Sequence, residues 1–327
     1  MSTASVGDIL LVAGLEDVQI GETVADAESP AALPPISIGE PTVSMTFRVN
    51  NSPFAGLDGK YVTSRHLRER LEKELRTNVA LRVVFSGDSD EFLVSGRGEL
   101  HLSILLENLR REGYELQVSR PEVIYKEIDG KRREPMERLW IDVDEVYVGT
   151  VMEKMGRRRG RLDKMGRSET GQSRLEFIVP ARGLIGYRGE FLTDTRGTGV
   201  MHQQFEGYEP FAGEIASRVN GALVSMEDGE AVPYTLEKIQ ERGILFVEPQ
   251  VKIYKGMIVG EHSRPKDLFV NPCKKKHLTN IRSSTAEDAI VLTPPRVMGL
   301  EDAIEWIGDG EWVEITPKSI RIRKATA

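Results

Sequence analysis

Few residues in this sequence are placed for covalent chemistry. The five histidines, His66, His101, His202, His262 and His277, show neither HxxxH nor HExxH spacing, so no helical turn presents two imidazoles to one metal. The single cysteine, Cys273, excludes an internal disulfide framework and a cysteine-bound zinc. Lys274 and His277 are the neighbours an activated thiol would want, but the stretch is polar and holds no fixed general base. Asp142 and Asp144 alternate onto one strand face, which suits a charged surface better than acid–base catalysis. There is no GxxxxGK[ST] phosphate loop and no GxSxG elbow. Gly183–Gly189 (GLIGYRG) lacks the GxGxxG spacing, so its glycines read as allowing close helix–sheet packing. The expectation is no catalytic residue, no metal ligand and no cofactor site: a modular binder rather than an autonomous enzyme.

Binding chemistry is better supported, because charge is unevenly placed. The 327 residues carry a formal charge of -7, which argues against a uniformly basic nucleic-acid binder. Yet Lys154–Arg167 holds seven bases (Lys154, Arg157, Arg158, Arg159, Arg161, Lys164, Arg167) against Asp163, a difference of +6. Lys252–Arg282 holds eight bases against Glu261 and Asp267, again +6. Glu301–Glu314 then carries six acids and no base. Two concentrated basic stretches in an acidic chain suggest two anion-facing surfaces. The hydrophobic fraction of 39% and charged fraction of 29% are those of a globular chain. No run of 18 apolar residues spans a membrane, Met1–Ser5 lacks the basic start of a secretory signal, and one cysteine suits a reducing cytoplasm.

The elements that must position these charges follow from hydrophobic spacing. Val43, Met45, Phe47 and Val49 alternate as a strand. Leu67, Leu71 and Leu75 mark a helix capped by Thr63 or Ser64. Strands follow at Val79–Phe85 and from Phe92. Leu102, Leu105, Leu106 and Leu109 mark a second helix ended by Gly113, and Tyr114, Leu116 and Val118 a last strand. The order is β-α-β-β-α-β. It recurs about 95 residues later, with strands at 139–143, 160–167, 175–179 and 199–206. One helix runs through Val148, Val151, Met152 and Met155, the other through Leu184, Tyr187, Phe191 and Leu192. Short strands dominate 211–327, with helices around Val232–Ile239 and Leu300–Ile307 and a polar, aperiodic stretch at 261–287. Residues 1–38 hold the short apolar run Ile9–Val12 and then prolines, as at the end of a small β unit and a linker. The expected class is α+β: two ferredoxin-like βαββαβ domains and a mixed, β-rich C-terminal domain.

Several motifs carry a family resemblance. Gly96–Leu102 (GRGELHL) resembles the signature of the third domain of elongation factor G-like translational GTPases. Tyr147–Val151, Arg158-Arg159-Gly160, Pro180, Gly183–Tyr187, Glu190–Asp194 and Thr195–Gly199 resemble the fifth domain. Residues 6–35 look like the last strands of the second-domain β-barrel. Only about 20 residues, Pro121 to Trp140, stand where elongation factor G inserts its fourth domain. Pro265–Leu268, Asn271, Lys274–Lys276 and Leu278–Arg282 are similar to the C-terminal domain of the BipA/TypA family; elongation factor 4, which also lacks a fourth domain, differs there.

The resemblance implies domains at 1–38 (the barrel remnant and linker), 39–128, 129–212 and 213–327. It implies a ribosome-binding translation factor of the stress-response or subunit-assembly kind, docked at the factor site against rRNA and A-site tRNA. GTP and magnesium would belong to a GTPase domain outside this chain. A cytoplasmic monomer without membrane contact is expected. The residues expected to meet RNA are Arg264, Lys266, Asn271, Lys274, Lys275, Lys276, His277, Thr279, Asn280 and Arg282, with Arg157, Arg158, Arg159, Arg161 and Lys164 on the second repeat. Arg97, in the Gly96–Gly98 bend, is expected at an interdomain or ribosome contact. A protein-interaction scaffold without RNA contact is the alternative, since such units serve many functions; a small-molecule sensor is a third.

Overall fold

The structure, a computed structural model, describes residues 4–14, 18, 20–34, 39–86, 90–168, 171–215, 218–275 and 291–325. Its first unit begins with β1 (Val43–Val49), where buried Val43, Met45 and Phe47 alternate with half-buried neighbours. α1 (Ser64–Thr77) starts at Thr63, whose hydroxyl accepts the His66 N–H, and buries Leu67 and Leu71. β2 (Arg82–Phe85) and β3 (Glu91–Gly96) follow. α2 (Glu99–Glu112) buries its leucines at i, i+3, i+4 and i+7 and stops at Gly113, whose φ of 96° is open to glycine without steric cost. β4 (Leu116–Val118) completes an antiparallel sheet of order β4-β1-β3-β2.

β5 (Glu122–Val123) adds to β1, and β6 (Lys126–Ile128) turns through Asp129-Gly130 into β7 (Lys131–Val143). The second unit adds α3 (Glu145–Arg157), β8 (Arg161–Arg167), β9 (Ser173–Pro180) and β10 (Val200–Pro210). Its sheet order, β10-β7-β9-β8, repeats that of the first unit. Its second helix differs from expectation. It is broken into α4 (Ala181–Leu184) and α5 (Tyr187–Asp194), because Gly186 takes φ 73° between them.

The C-terminal region comprises β11 (Ala222–Ser225), β12 (Gly229–Glu230), α6 (Pro233–Gln240), β13 (Gly243–Leu245), β14 (Lys252–Ile253), β15 (Met257–His262), β16 (Leu268–Val270), α7 (Leu300–Trp306), β17 (Glu311–Ile315) and β18 (Ile320–Lys324). Its sheet is not separate. β17 pairs with β4, giving one 11-stranded sheet along β16-β11-β15-β18-β17-β4-β1-β3-β2, with β13 on β15 and β5 on β1. One apolar core runs beneath it, from Phe47, Leu106 and Val118 to Val313, Ile322 and Ile258. The second unit has its own core around Ile141, Phe177 and Phe191.

One expectation needs correction. The stretch 261–287 is not structureless throughout: β16 lies inside it, parallel to β11, and three residues are too few to show a period. In 1–38 no strand forms among the described residues, and Val6, Ile9 and Leu11 are fully exposed, since a short strand is unstable without a partner. Among the described residues no helix is long and apolar enough to cross a membrane.

Candidate nucleic-acid interface

β16 sorts the C-terminal basic residues into two groups. Before it, the Arg264 carbonyl accepts the Gly221 N–H at 2.7 Å and the Lys266 carbonyl accepts from His262 Nδ1 at 2.6 Å. The backbone is thus pinned while both cationic side chains stay exposed. A Cβ on Gly221 would lie 2.3 Å from the Lys266 carbonyl carbon, so this approach requires glycine. After β16, the Pro272 carbonyl accepts from Val232 N–H at 3.0 Å and from the Thr235 hydroxyl at 2.7 Å, which fixes the turn against α6. Asn271 closes that turn, its Oδ1 accepting the Cys273 N–H at 3.0 Å. Lys274 and Lys275 leave it exposed. Arg264, Lys266, Lys274 and Lys275 have no ion-pair partner among the described residues.

Cys273 is half-buried, packed against Gly229, and burial followed by Asp228 and Glu227 pushes its thiol up. A protonated thiol is a poor nucleophile, so the site offers charge rather than covalent chemistry. Lys276, His277, Thr279, Asn280 and Arg282 lie outside the described residues.

The second basic stretch is drawn into one turn between α3 and β8 and along the β8 edge, but its arginines have different surroundings. Arg157 is exposed and pairs with Glu153, one helical turn back, at 2.6 Å. Arg158 turns inward: Nη1 donates to the carbonyls of Gly183 (2.7 Å) and Ile185 (3.2 Å), and Nη2 meets Glu190 at 3.2 Å. Arg159 takes φ 62° and donates Nε to the Glu214 carbonyl at 3.2 Å. Arg161 forks onto Glu209 at 2.8 and 2.9 Å. Lys164 is exposed and has no partner among the described residues. Acids from other elements thus offset much of the local excess that the sequence shows.

Arg97 stands exposed in the bend between β3 and α2. Its backbone is held on both sides: its carbonyl accepts the Thr42 hydroxyl at 3.0 Å, and its N–H donates to His101 Nδ1 at 3.3 Å. The other ring nitrogen of His101 meets Asn78 at 3.0–3.1 Å. Burial and then Arg97 lower the His101 pKa, so the neutral ring that accepts the Arg97 N–H is favoured. A Cβ on Gly96 would lie 2.8 Å from His101 Nδ1, which explains the glycine beside the ring. One residue on, a Cβ on Gly98 would lie 3.8 Å from Gln203 Nε2 of β10, so Arg97 sits beside the second unit. Sequence reasoning missed Glu99, which carries the contact between the units: its carboxylate accepts the Gly186 N–H at 3.0 Å. A carboxylate among the buried-face leucines of α2, paired with a glycine-broken helix, was the available signal.

Known proteins match along the same order. The family model for elongation factor G domain III matches residues 61–120, that for the elongation factor G C-terminus residues 131–219, and that for the TypA/BipA C-terminal domain residues 220–327. Curated relatives in Synechocystis sp., Bacillus subtilis and Haemophilus influenzae are 52%, 53% and 54% identical over 98% of this chain, and each is called large ribosomal subunit assembly factor BipA. This chain covers 54%, 53% and 52% of them, so it spans about half the length of the relatives it matches. A crystal structure from Thermus thermophilus matches 54% of the chain, and 41% of its own, at 17% identity and a TM-score of 0.35, a likeness too distant to bear on the fold. Three family models in elongation-factor order, and identity above one half along nearly the whole chain, make this chain similar throughout to about half of each BipA relative, with the TypA/BipA C-terminal domain matched at 220–327.

Proposed function

We propose that this chain is the ribosome-facing part of a large-subunit assembly factor, binding rRNA through the pinned basic segments flanking β16. The observation that carries this is the set Arg264, Lys266, Lys274 and Lys275: four exposed cations, unpaired among the described residues, the first two on hydrogen-bonded backbone and the last two directly after the fixed Asn271–Cys273 turn. Such cations neutralise phosphates and release counterions, and a fixed backbone keeps the entropy of binding small. Arg97, Arg157 and Lys164 extend the surface, and A-site tRNA is the second RNA it would meet. Each βαββαβ unit, with its repeated strand order, is read as ferredoxin-like, and residues 1–38 as the close of a barrel. We assign GTP and magnesium to the part of the relatives that this chain does not match, and expect a cytoplasmic monomer.

Co-sedimentation with purified 50S subunits across a salt series tests the reading. Binding should fall steeply with salt, with a slope near 0.9 per phosphate contact in log–log form, or near 0.7 where the contacted RNA is single-stranded. Reversal of Arg264, Lys266, Lys274 and Lys275 to Glu should flatten that slope and abolish binding at moderate salt. Unchanged affinity and slope in the variant would sink the proposal. Partners retained after RNase digestion would favour the scaffold instead.

A further inference from the structure

The second unit meets the rest of the molecule at a small polar seam. The first unit and the C-terminal strands share one sheet and one core, whereas the second unit has a sheet and a core of its own. Ala181 and Ile185 supply a modest apolar contact across the seam. Tyr125, packed on that shared core, also meets Phe211 after β10 at 6.4 Å between ring centroids. The polar part of the seam centres on Glu99, the first residue of α2. Its two carboxylate oxygens lie 3.0 and 3.3 Å from the Gly186 nitrogen, at the break between α4 and α5. Glu305 of α7 closes the third side: a Cβ on Gly186 would lie 3.6 Å from Glu305 Cβ, and one on Gly189 3.1 Å from Glu305 Oε2. Three parts of the chain therefore converge here: the Glu99 carboxylate accepts the Gly186 N–H, and the Glu305 side chain packs beside Gly186 and Gly189.

The charges around this point do not balance. Burial, followed by Glu305, pushes the Glu99 carboxyl up to about 7; the Gly186 N–H and Arg158 oppose this, and Glu301 adds to it. Glu305 is raised by burial, then by Asp302 and Glu301, with Arg158 opposing and Glu190 adding. Among the described residues, Arg158 is the cation that opposes both shifts. It is held by the Gly183 and Ile185 carbonyls and by Glu190, so it is not free to neutralise both carboxylates.

We propose that the Glu99–Gly186–Glu305 seam is a latch that holds the second unit against the other two and lets it swing away when both carboxylates are charged. In the closed form a neutral carboxyl still accepts the Gly186 N–H through its carbonyl oxygen. Two charges there repel within a desolvated cleft, while in the open form both are hydrated and titrate near ordinary carboxylate values. The closed form therefore binds more protons, and rising pH opens it. The latch is separate from RNA binding: none of its residues belongs to the basic surface.

Spin labels on the full chain test this, with Cys273→Ser removing the native thiol and Val146→Cys and Leu57→Cys supplying exposed sites on the second and first units. Double electron–electron resonance is read from pH 5 to 8.5. The closed-to-open ratio should fall by up to about tenfold per pH unit for each carboxylate between its open-form and closed-form pKa, and level off above about pH 8. Glu99→Gln keeps the acceptor and removes the charge. With Glu305→Gln it should hold the short distance at every pH. A wild-type distance that ignores pH, or a double variant that follows pH as the wild type does, would overturn the latch.

Discussion

The Tyr254 hydroxyl donates to Glu314 Oε2 at 2.8 Å in the join between the first unit and the C-terminal strands, and both side chains are almost wholly buried. The other oxygen, Oε1, accepts from the Ser52 hydroxyl (2.8 Å), Asn50 Nδ2 (3.0 Å) and Arg321 Nη1 (2.9 Å). Ser52 and Asn50 follow β1; Tyr254 and Arg321 belong to the C-terminal region. One carboxylate on β17 thus fastens the two regions beside the β4–β17 pairing, and burial together with the Glu314 charge holds the Tyr254 hydroxyl far above its ordinary pKa.

Removing that carboxylate should loosen both regions together. Glu314→Ala leaves four donors and the Arg321 charge without their acceptor in a dry site, at a cost of about 3–5 kcal/mol. Urea unfolding followed by Trp312 and Trp306 fluorescence should move to a lower midpoint as one transition. A fall of under about 1 kcal/mol would mean that the β4–β17 ladder suffices without Glu314.

Adjacent arginines should behave oppositely. Arg158→Ala removes charged hydrogen bonds to two carbonyls and should cost about 2–4 kcal/mol, because its side chain is only 17% exposed. Arg157→Ala, at 77% exposed, should change stability by less than about 0.5 kcal/mol. In RNA binding the order reverses, with Arg157 reducing the salt slope and Arg158 leaving it unchanged in the folded fraction. Equal stability losses at both positions would refute this division.

That contrast shows what local sequence conveys. α2 was legible because Leu102, Leu105, Leu106 and Leu109 fall on one face and Gly113 stops it. Arg157, Arg158 and Arg159 are the same residue type in a row, and nothing local says which turns inward. The carbonyls of Gly183 and Ile185 and the φ of 62° at Arg159 decide it. The β4–β17 pairing joins segments far apart in the chain, so the merging of two expected domains into one sheet left no periodic signal. At the candidate interface the cationic residue types were legible from composition. Their pinning was not, since it depends on Gly221, His262 and Thr235 reaching across the fold.

Two glycines separate packing from backbone freedom. A Cβ on Gly243 would sit 1.9 Å from the Glu261 carbonyl oxygen, inside the β13–β15 ladder. Gly243→Ala must push β13 off the sheet and should cost several kcal/mol. Gly130 takes φ 67° in the β6–β7 turn with open space around it, so Gly130→Ala should cost only about 1–2 kcal/mol through backbone strain. Chemical denaturation of the two variants side by side checks this, and a Gly130→Ala loss as large as that of Gly243→Ala would contradict it.

Glu137 gives the clearest pH dependence. It lies on the inner face of β7 in line with Leu139, Ile141 and Val143, only 4% exposed, and burial alone pushes its carboxyl up to about 7. The sign follows from linkage. The folded protein holds this proton more tightly than the unfolded chain, so the group costs nothing below its unfolded pKa near 4.5. It destabilises progressively as pH rises from there to about 7, and by up to about 3 kcal/mol above that. Glu137→Gln removes the titration and keeps the shape. The stability of the variant relative to the wild type should be flat below about pH 4.5, climb between about pH 4.5 and 7, and level off by about pH 8. Any constant cost of burying the amide shifts the whole curve without changing its slope. Guanidinium titrations of both proteins at matched pH values measure that difference, and a difference independent of pH would show that Glu137 stays charged in the folded protein.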